Sequence, residues 1–338
     1  MLLFVKKKDK FEELFGIQSL EQHGSPKMHR FKNILMIYNP NQQTLDRAVG
    51  LAMENEARLT VVDVVRELVG EKHLKEPGLK PLDLEALVKK EFDEQLKHFV
   101  SSVKQQDGLR INTKVLVGHA FLEIIREVIR NKHDLVIMTA EGKDGFRERL
   151  FGSTSMHLMR ECPCPVWVMK PTRRKRIERI LAAVDPDPRD KTKTLLNEHL
   201  LELAVSLAQL ESAQLHVVHA WRLYGESSMK NSNWIQTPKV SLYLKQEKAK
   251  QDQLLNSLVA KYPLDNLKVH LVKGEAYDVI RRVVKREKTD LLVMGTVCRT
   301  GIAGFLIGNT AENVLNGVDC SVLTVKPEGF ASPITAYA

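Results

Sequence analysis

The chain is 338 residues long, 43% hydrophobic and 28% charged, with a formal net charge of +9. This composition indicates a folded protein, and the length suits two domains. No run reaches the ~18 apolar residues of a membrane-spanning helix, and four cysteines are too few for a disulfide framework. Seven of the positive charges lie at 6–8 and 173–176 without an accompanying aromatic platform. We therefore expect a solvated tail and linker, with neither a membrane nor a nucleic acid as partner.

Residues 1–30 precede the first predicted strand and have no counterpart later in the chain. Apolar residues come first and the basic run follows, which is the reverse of a secretory signal, so the sequence predicts a cytoplasmic protein. We expect this extension to be disordered, or missing altogether if translation starts at Met28.

Short β-branched or aliphatic runs alternate with helical patterns between residues 31 and 171, the first predicted domain. The predicted strands are Ile34–Tyr38, Leu59–Val64, Thr113–Val117, Leu135–Thr139 and Pro165–Met169. Several are continuously apolar, as is typical of parallel strands covered on both faces. A polar segment at about 80–106 predicts a long helix, and residues 172–177 form a basic linker.

The same order returns in a second predicted domain at 178–328, which is followed by a tail at 329–338. Its predicted strands are Ile180–Val184, Leu215–Ala220, Leu267–Val272, Leu291–Gly295 and Ser321–Val325, with a long helix at about 239–262. A shift of 156 positions pairs Gly152 with Gly308, but near the start of each copy the shift is 146. Ten extra residues should therefore lengthen the loop at 186–190 and the helix after it.

This repeat predicts the fold class: α/β, with two tandem open, twisted, five-stranded parallel sheets that carry helices on both faces and are Rossmann-like. In such sheets a ligand binds beyond the carboxyl ends of the strands. A glycine-rich loop follows the fourth strand in each copy and leads to the start of a helix at 152–154 and 308–310. Glycines let backbone N–H groups approach phosphate, and a helix start favours anions, so each copy should present an anion-facing notch.

Both loops resemble the signature Gly-x2-Gly-x9-Gly-[Ser/Thr] of the universal stress protein family, and the run 308–314 resembles the start of that family's fourth helix. The sequences at 162–167 and 295–301 resemble those of the tandem, E-type members of this family. The resemblance covers residues 32–327. It implies a cytoplasmic protein that supports survival under stress such as DNA damage. It also implies a pocket for ATP, ADP or AMP, with Mg²⁺ only if phosphates bind.

Each copy departs from the signature at different points. The first has Thr139 at the first glycine, and the second has Cys298 at the second glycine and Asn309 at the Ser/Thr position. By resemblance, Asp185 would recognise adenine, and the first copy has Asn39 there. The candidate ligand-binding residues are Asn39, Gly142, Gly152, Ser153, Thr154, Asp185, Val218, Gly295, Cys298, Gly308, Asn309 and Thr310.

No nucleophile elbow, paired metal motif or Walker lysine is found in the sequence, so no catalytic residue and no metal ligand is predicted. Cys162 and Cys164 are interpreted as packing residues, and His216 and His219, three apart on a strand, should point to opposite faces and cannot share one metal ion.

Three functions stay open on the sequence alone. The first is a stress-response binding or signalling module that holds ATP, AMP or another small metabolite. The second is an ATP-hydrolysing or nucleotide-transferring enzyme on the same fold, and the third is a ligand-free scaffold. Family architecture also implies an intramolecular pseudo-dimer that pairs the fifth strands of the two domains, with a further homodimer left open.

Overall fold

A computed structural model describes most of the chain, namely residues 31–66, 81–101, 103, 109–140, 151–172, 176–226, 237–296 and 308–336. These residues fall into two compact units, the first carrying five strands and the second another five. The described residues 331–336 group with the first unit, where the Arg130 side chain donates to the carbonyl of Ala336 at 3.0 Å.

The first unit alternates strands and helices throughout. Its elements are β1 Asn33–Ile37, α1 Gln42–Glu54, β2 Arg58–Val65, α2 Pro81–Ser101, β3 Arg110–Val117, α3 Ala120–Asn131, β4 Leu135–Thr139, α4 Ser153–Glu161 and β5 Val166–Met169. The strands are parallel and lie in the order β3-β2-β1-β4-β5. All five residues of β4 are buried, so both faces of the sheet are covered at its centre.

The second unit repeats this arrangement. Its elements are β6 Arg179–Ala183, α5 Lys191–Glu211, β7 Gln214–Trp221, α6 Thr237–Val259, β8 Leu267–Lys273, α7 Ala276–Glu287, β9 Leu291–Gly295, α8 Asn309–Leu315 and β10 Ser321–Val325. These strands are parallel in the order β8-β7-β6-β9-β10. The predicted α/β fold, duplicated in tandem, is thereby confirmed. In each unit the strand order reverses between the first and fourth strands, which is where such folds bind ligands.

The repeat also fixes local backbone geometry. Gly118 and Gly274, which follow β3 and β8, have φ values of +136° and +147° that side-chain-bearing residues rarely adopt. Each turn leads into a helix of 12 residues with a strongly amphipathic pattern, α3 and α7, whose apolar side is buried. Both helices end on a lysine in the left-handed conformation, Lys132 and Lys288. Equivalent sequence positions therefore perform equivalent structural roles.

The ten extra residues of the second copy lie where the sequence predicted them. Helix α5 has 21 residues against 13 in α1, and the loop before it runs over 184–190. Asp190 begins the longer helix as its N-cap, since its side chain accepts from the Lys193 amide at 3.1 Å.

The cysteine pair lies in the core of the first unit. Cys162 and Cys164 are buried, free and 3.6 Å apart at their sulfur atoms. The hydrogen bond from Cys162, together with burial, raises the pKa of Cys164 well above its usual value. A thiolate is disfavoured there, which fits the predicted packing role. Among the residues that the structure describes, no helix has both the length and the apolar character needed to cross a membrane.

Candidate functional site

The start of helix α8 is attached to the tip of strand β9. The Gly308 amide donates to the carbonyl of Thr296 at 3.1 Å, and Thr296 directly follows that strand. Gly308 is the N-cap of α8 with an extended backbone and, as a glycine, has no side chain to cap the helix. The first turn of α8 therefore begins beside the carboxyl end of β9 in the second unit.

The corresponding junction of the first unit lies at the tip of β5. Gly152 is the N-cap of α4, and its neighbour Phe151 presents its ring to the ammonium of Lys170, 4.9 Å from the ring centroid. Lys170 directly follows β5. The start of α4 therefore also lies at the carboxyl edge of its sheet.

Asp185 is held firmly at the end of β6. Its backbone N–H donates to the Asn197 side-chain oxygen at 3.0 Å, and the Asn197 amide donates back to the Asp185 carbonyl at 2.9 Å. Asn197 is buried, whereas the Asp185 side chain is 49% exposed. Lys193, in the first turn of α5, pairs with carboxylate Oδ2 at 2.8 Å. Two hydrogen bonds thus hold the backbone at this position, while the Asp185 side chain is half-exposed.

Val218 on β7 contacts the carboxyl end of β6. It is fully buried, and its carbonyl accepts the Val184 amide at 3.0 Å. His219, the next residue of β7, donates from its Nδ1–H to the Val184 carbonyl at 3.1 Å. Val184 precedes Asp185, so the two contacts fix the end of β6 and with it the residue expected to recognise adenine.

A buried ammonium lies beside the notch of the second unit. Lys326 directly follows β10, is 5% exposed and donates from Nζ to the Thr296 hydroxyl at 2.6 Å. The ring of Phe330 covers it at 4.8 Å from the centroid. Thr296 thus receives the Gly308 amide on its carbonyl and the Lys326 ammonium on its hydroxyl. Both contacts bring positive charge or partial charge to the tip of β9.

The comparisons with known proteins decide the family. The model of the universal stress protein family matches residues 30–170 and again residues 176–326. The chain belongs to the universal stress protein family. Its two matched stretches correspond to the two units of the structure.

Two relatives align with both copies of this chain over nearly their whole length. The chain is 28% identical over 321 residues to Universal stress protein E of Salmonella typhi and to that of Escherichia coli strain K12, an alignment covering 91% of this chain and 98% of each relative. Among solved structures, a functionally unknown protein from Pseudomonas aeruginosa PAO1 has a TM-score of 0.66 at 24% identity and covers 90% of this chain and 95% of its own. That likeness concerns the fold.

One departure from the universal stress protein signature has a packing explanation. A Cβ on Gly295 would lie 2.9 Å from the Leu196 side chain, so the second copy needs glycine unless that leucine moves. In the first copy Thr139 takes this position, and its hydroxyl is 2.8 Å from that of Thr44, with both side chains buried. A hydrogen-bonded threonine pair therefore replaces the leucine and glycine pair at the same point.

The remaining candidate residues differ in their exposure to solvent. Ser153 and Thr310 are exposed on the first turns of α4 and α8, and Thr154 and Asn39 are half-buried. Asn309 begins α8. Gly142 and Cys298 lie outside the described residues.

Three residues at the site were missed by sequence reasoning. Asn197 lies within the enlarged loop and helix of the second copy, where no repeat partner draws attention to it. Lys170 and Lys326 are related by the shift of 156 positions, but the sequence analysis assigned neither of them a role. A lysine directly after an apolar strand, found in both copies, was the available signal, because an ammonium is rarely buried without a role.

Proposed function

We propose that this universal stress protein is a cytoplasmic binding and signalling module whose second copy holds an adenine nucleotide. The proposal rests on one observation: Asp185, held by its backbone hydrogen bonds at the tip of β6, lies next to Thr296 and Gly308 at the tip of β9. Strands β6 and β9 are neighbours, so the two tips lie about 5 Å apart across the point where strand order reverses. Adenine would contact Asp185, and the phosphates would lie against Gly308.

The charges of the second copy favour a nucleotide over a neutral metabolite. The helix start at Gly308 and the Lys326 ammonium both favour anions, while Asp185 offers an acceptor to a base amino group. Mg²⁺ would enter only together with bound phosphates. In the first copy the amide of Asn39 replaces the carboxylate, and we assign that pocket a weaker or different ligand.

Isothermal titration of the full chain with ATP, AMP and a nucleotide sugar, with and without Mg²⁺, tests the proposal. We expect one adenine-nucleotide site per chain that is lost in Gly308→Val and weakened in Asp185→Ala. Asn39→Ala, the matching change in the first copy, serves as the control and should leave that site unchanged. Circular dichroism of each variant separates a lost site from a lost fold.

Two outcomes oppose the proposal. If no ligand binds, the pockets are vestigial and the chain acts as a scaffold. If ATP is turned over and Gly308→Val abolishes turnover with the fold intact, the chain is an enzyme.

A further inference from the structure

A second polar cluster lies at the opposite edge of the second unit from the notch. It joins His216 on β7, His270 on β8 and Glu287, the last residue of α7. Helix α7 starts at the carboxyl edge, after Gly274, and so ends near the amino-terminal edge, where His216 lies early in β7. The side-chain ligand atoms of the three residues lie within 4.8 Å of one another. This site is separate from the proposed nucleotide pocket.

The hydrogen bonds fix which nitrogen atoms carry protons. The oxygen of Gln214 only accepts, so His216 Nε2, 2.9 Å away, carries the hydrogen and Nδ1 has the lone pair. That lone pair accepts from His270 Nε2 at 2.9 Å, and His270 Nδ1 accepts from Arg286 at 2.9 Å. The carboxylate of Glu287 lies 3.8 Å from His216 Nδ1. Two neutral imidazoles therefore share one proton beside an anionic oxygen.

We propose that His216 Nδ1, His270 Nε2 and a Glu287 carboxylate oxygen bind one divalent transition-metal ion of the Zn²⁺ class, with water as the fourth ligand. Two imidazoles and a carboxylate are a usual donor set for Zn²⁺, whose bonds to nitrogen measure about 2.0–2.1 Å. Tetrahedral geometry then needs the two nitrogen atoms about 3.3 Å apart. The observed 2.9 Å has to open by a few tenths of an ångström, since the ion replaces the shared proton.

The surroundings include one favourable partner and one competitor. Gln214 fixes the His216 tautomer, as outer-shell partners of metal-binding histidines do, and His216 is only 1% exposed. The C-terminal end of α7, where Glu287 lies, carries negative dipole charge that favours a cation. Arg286 opposes the ion in two ways: His270 must move its proton to Nδ1 and lose the arginine bond, and Arg286 Nε also donates to Glu287 Oε1 at 2.5 Å. The Arg286 side chain is 57% exposed, so it can withdraw into solvent.

The first unit provides an internal comparison at the same place. The repeat puts Thr60, Lys114 and Asn131 where the second unit has His216, His270 and Glu287. There the Lys114 ammonium binds the buried carboxylate of Glu127 at 2.7 Å, and Asn131 donates to the same carboxylate at 2.8 Å. In the first copy, therefore, the cation beside the Glu127 carboxylate is a lysine side chain of the protein itself. In the second copy the lysine is replaced by histidine, and the cation would come from solution.

The test is a Zn²⁺ titration of metal-stripped full-length protein in competition with a chromogenic chelator. We expect one site per chain, weakened at least tenfold in His270→Gln and in Glu287→Gln, because even the loss of an outer-shell partner costs about 10-fold. Arg286→Gln should tighten binding, since the competing donor is removed. His98→Gln, which removes an exposed histidine from α2, is the matched control and should bind as the native chain does.

Cobalt(II) absorption identifies the donor atoms. Visible bands of tetrahedral nitrogen and oxygen ligation, lost in His270→Gln, would support the site. A sulfur charge-transfer band that is lost in Cys162→Ser would instead assign the ion to the thiol pair and overturn the proposal. A native chain that fails to compete for Zn²⁺, or binding left unchanged in both His270→Gln and Glu287→Gln, would overturn it equally.

Discussion

Replacing Asn197 with alanine tests whether the end of β6 is held as the structure indicates. The substitution removes both hydrogen bonds to the Asp185 backbone and leaves a part-buried N–H and C=O without those partners. Each such bond contributes about 1–1.5 kcal/mol, so we expect the free energy of unfolding of the second unit to fall by about 2–3 kcal/mol. The Asp185 carboxylate also loses its fixed position, so adenine nucleotides should bind more weakly.

Hydrogen exchange with mass spectrometry measures both effects. Peptides from β6, β7 and β9 report the opening free energy of the second unit, and the peptide that contains the Asp185 amide reports the local bond. Asn256→Ala is the control, because Asn256 is exposed and its side chain donates to Asp252 on the helix surface, so the cost should stay within about 0.5 kcal/mol. A loss in Asn197→Ala no larger than in this control, with the Asp185 amide still protected, would refute the reasoning.

Two further predictions concern buried charges. Lys326→Met should weaken ATP binding about tenfold and leave adenosine binding unchanged, because the lost ammonium acts on phosphate. Parallel titrations with the two ligands check this, and an equal loss of affinity for both would contradict it. In the first unit burial raises the pKa of Glu127, but the nearby His133 ring and the hydrogen bond from Lys114 outweigh it, so the net pKa is lowered from its ordinary value of 4.5. The ionised carboxylate therefore stabilises this unit above pH 4.5, and its contribution is lost as the pH falls through the lowered pKa of the folded state. The urea midpoint of the native chain should decline on acidification, and it should decline less steeply in Glu127→Gln. Parallel pH profiles of the two proteins would contradict this.

The repeat made the fold predictable from sequence. A constant shift of 156 pairs β4 with β9 and α3 with α7 residue for residue, and alternating strands and helices leave few arrangements open. The position of the ten extra residues followed from the change in that shift. The pairing of the fifth strands and the chemistry at Gly142 and Cys298 stay predictions.

Contacts between distant residues were the part that sequence could not supply. In the sequence, His216 was compared only with His219, and the structure gives the two rings different partners. Its contact is His270, 54 residues away, and only the register of β7 against β8 brings the rings together. Asn197 likewise meets Asp185 only because helix α5 folds back over the end of β6. Periodicity identifies which residues face the core, but it does not identify their partners.

Photo-cross-linking with 8-azidoadenosine triphosphate tests the central claim most directly, because it reports where the adenine ring lies. We expect label in the second copy, in the peptide covering residues 179–197, with labelling suppressed by excess ATP and lost in Gly308→Val. Label confined to the first copy, or label in the second copy that excess ATP leaves unchanged, would contradict the assignment of the nucleotide to the tips of β6 and β9.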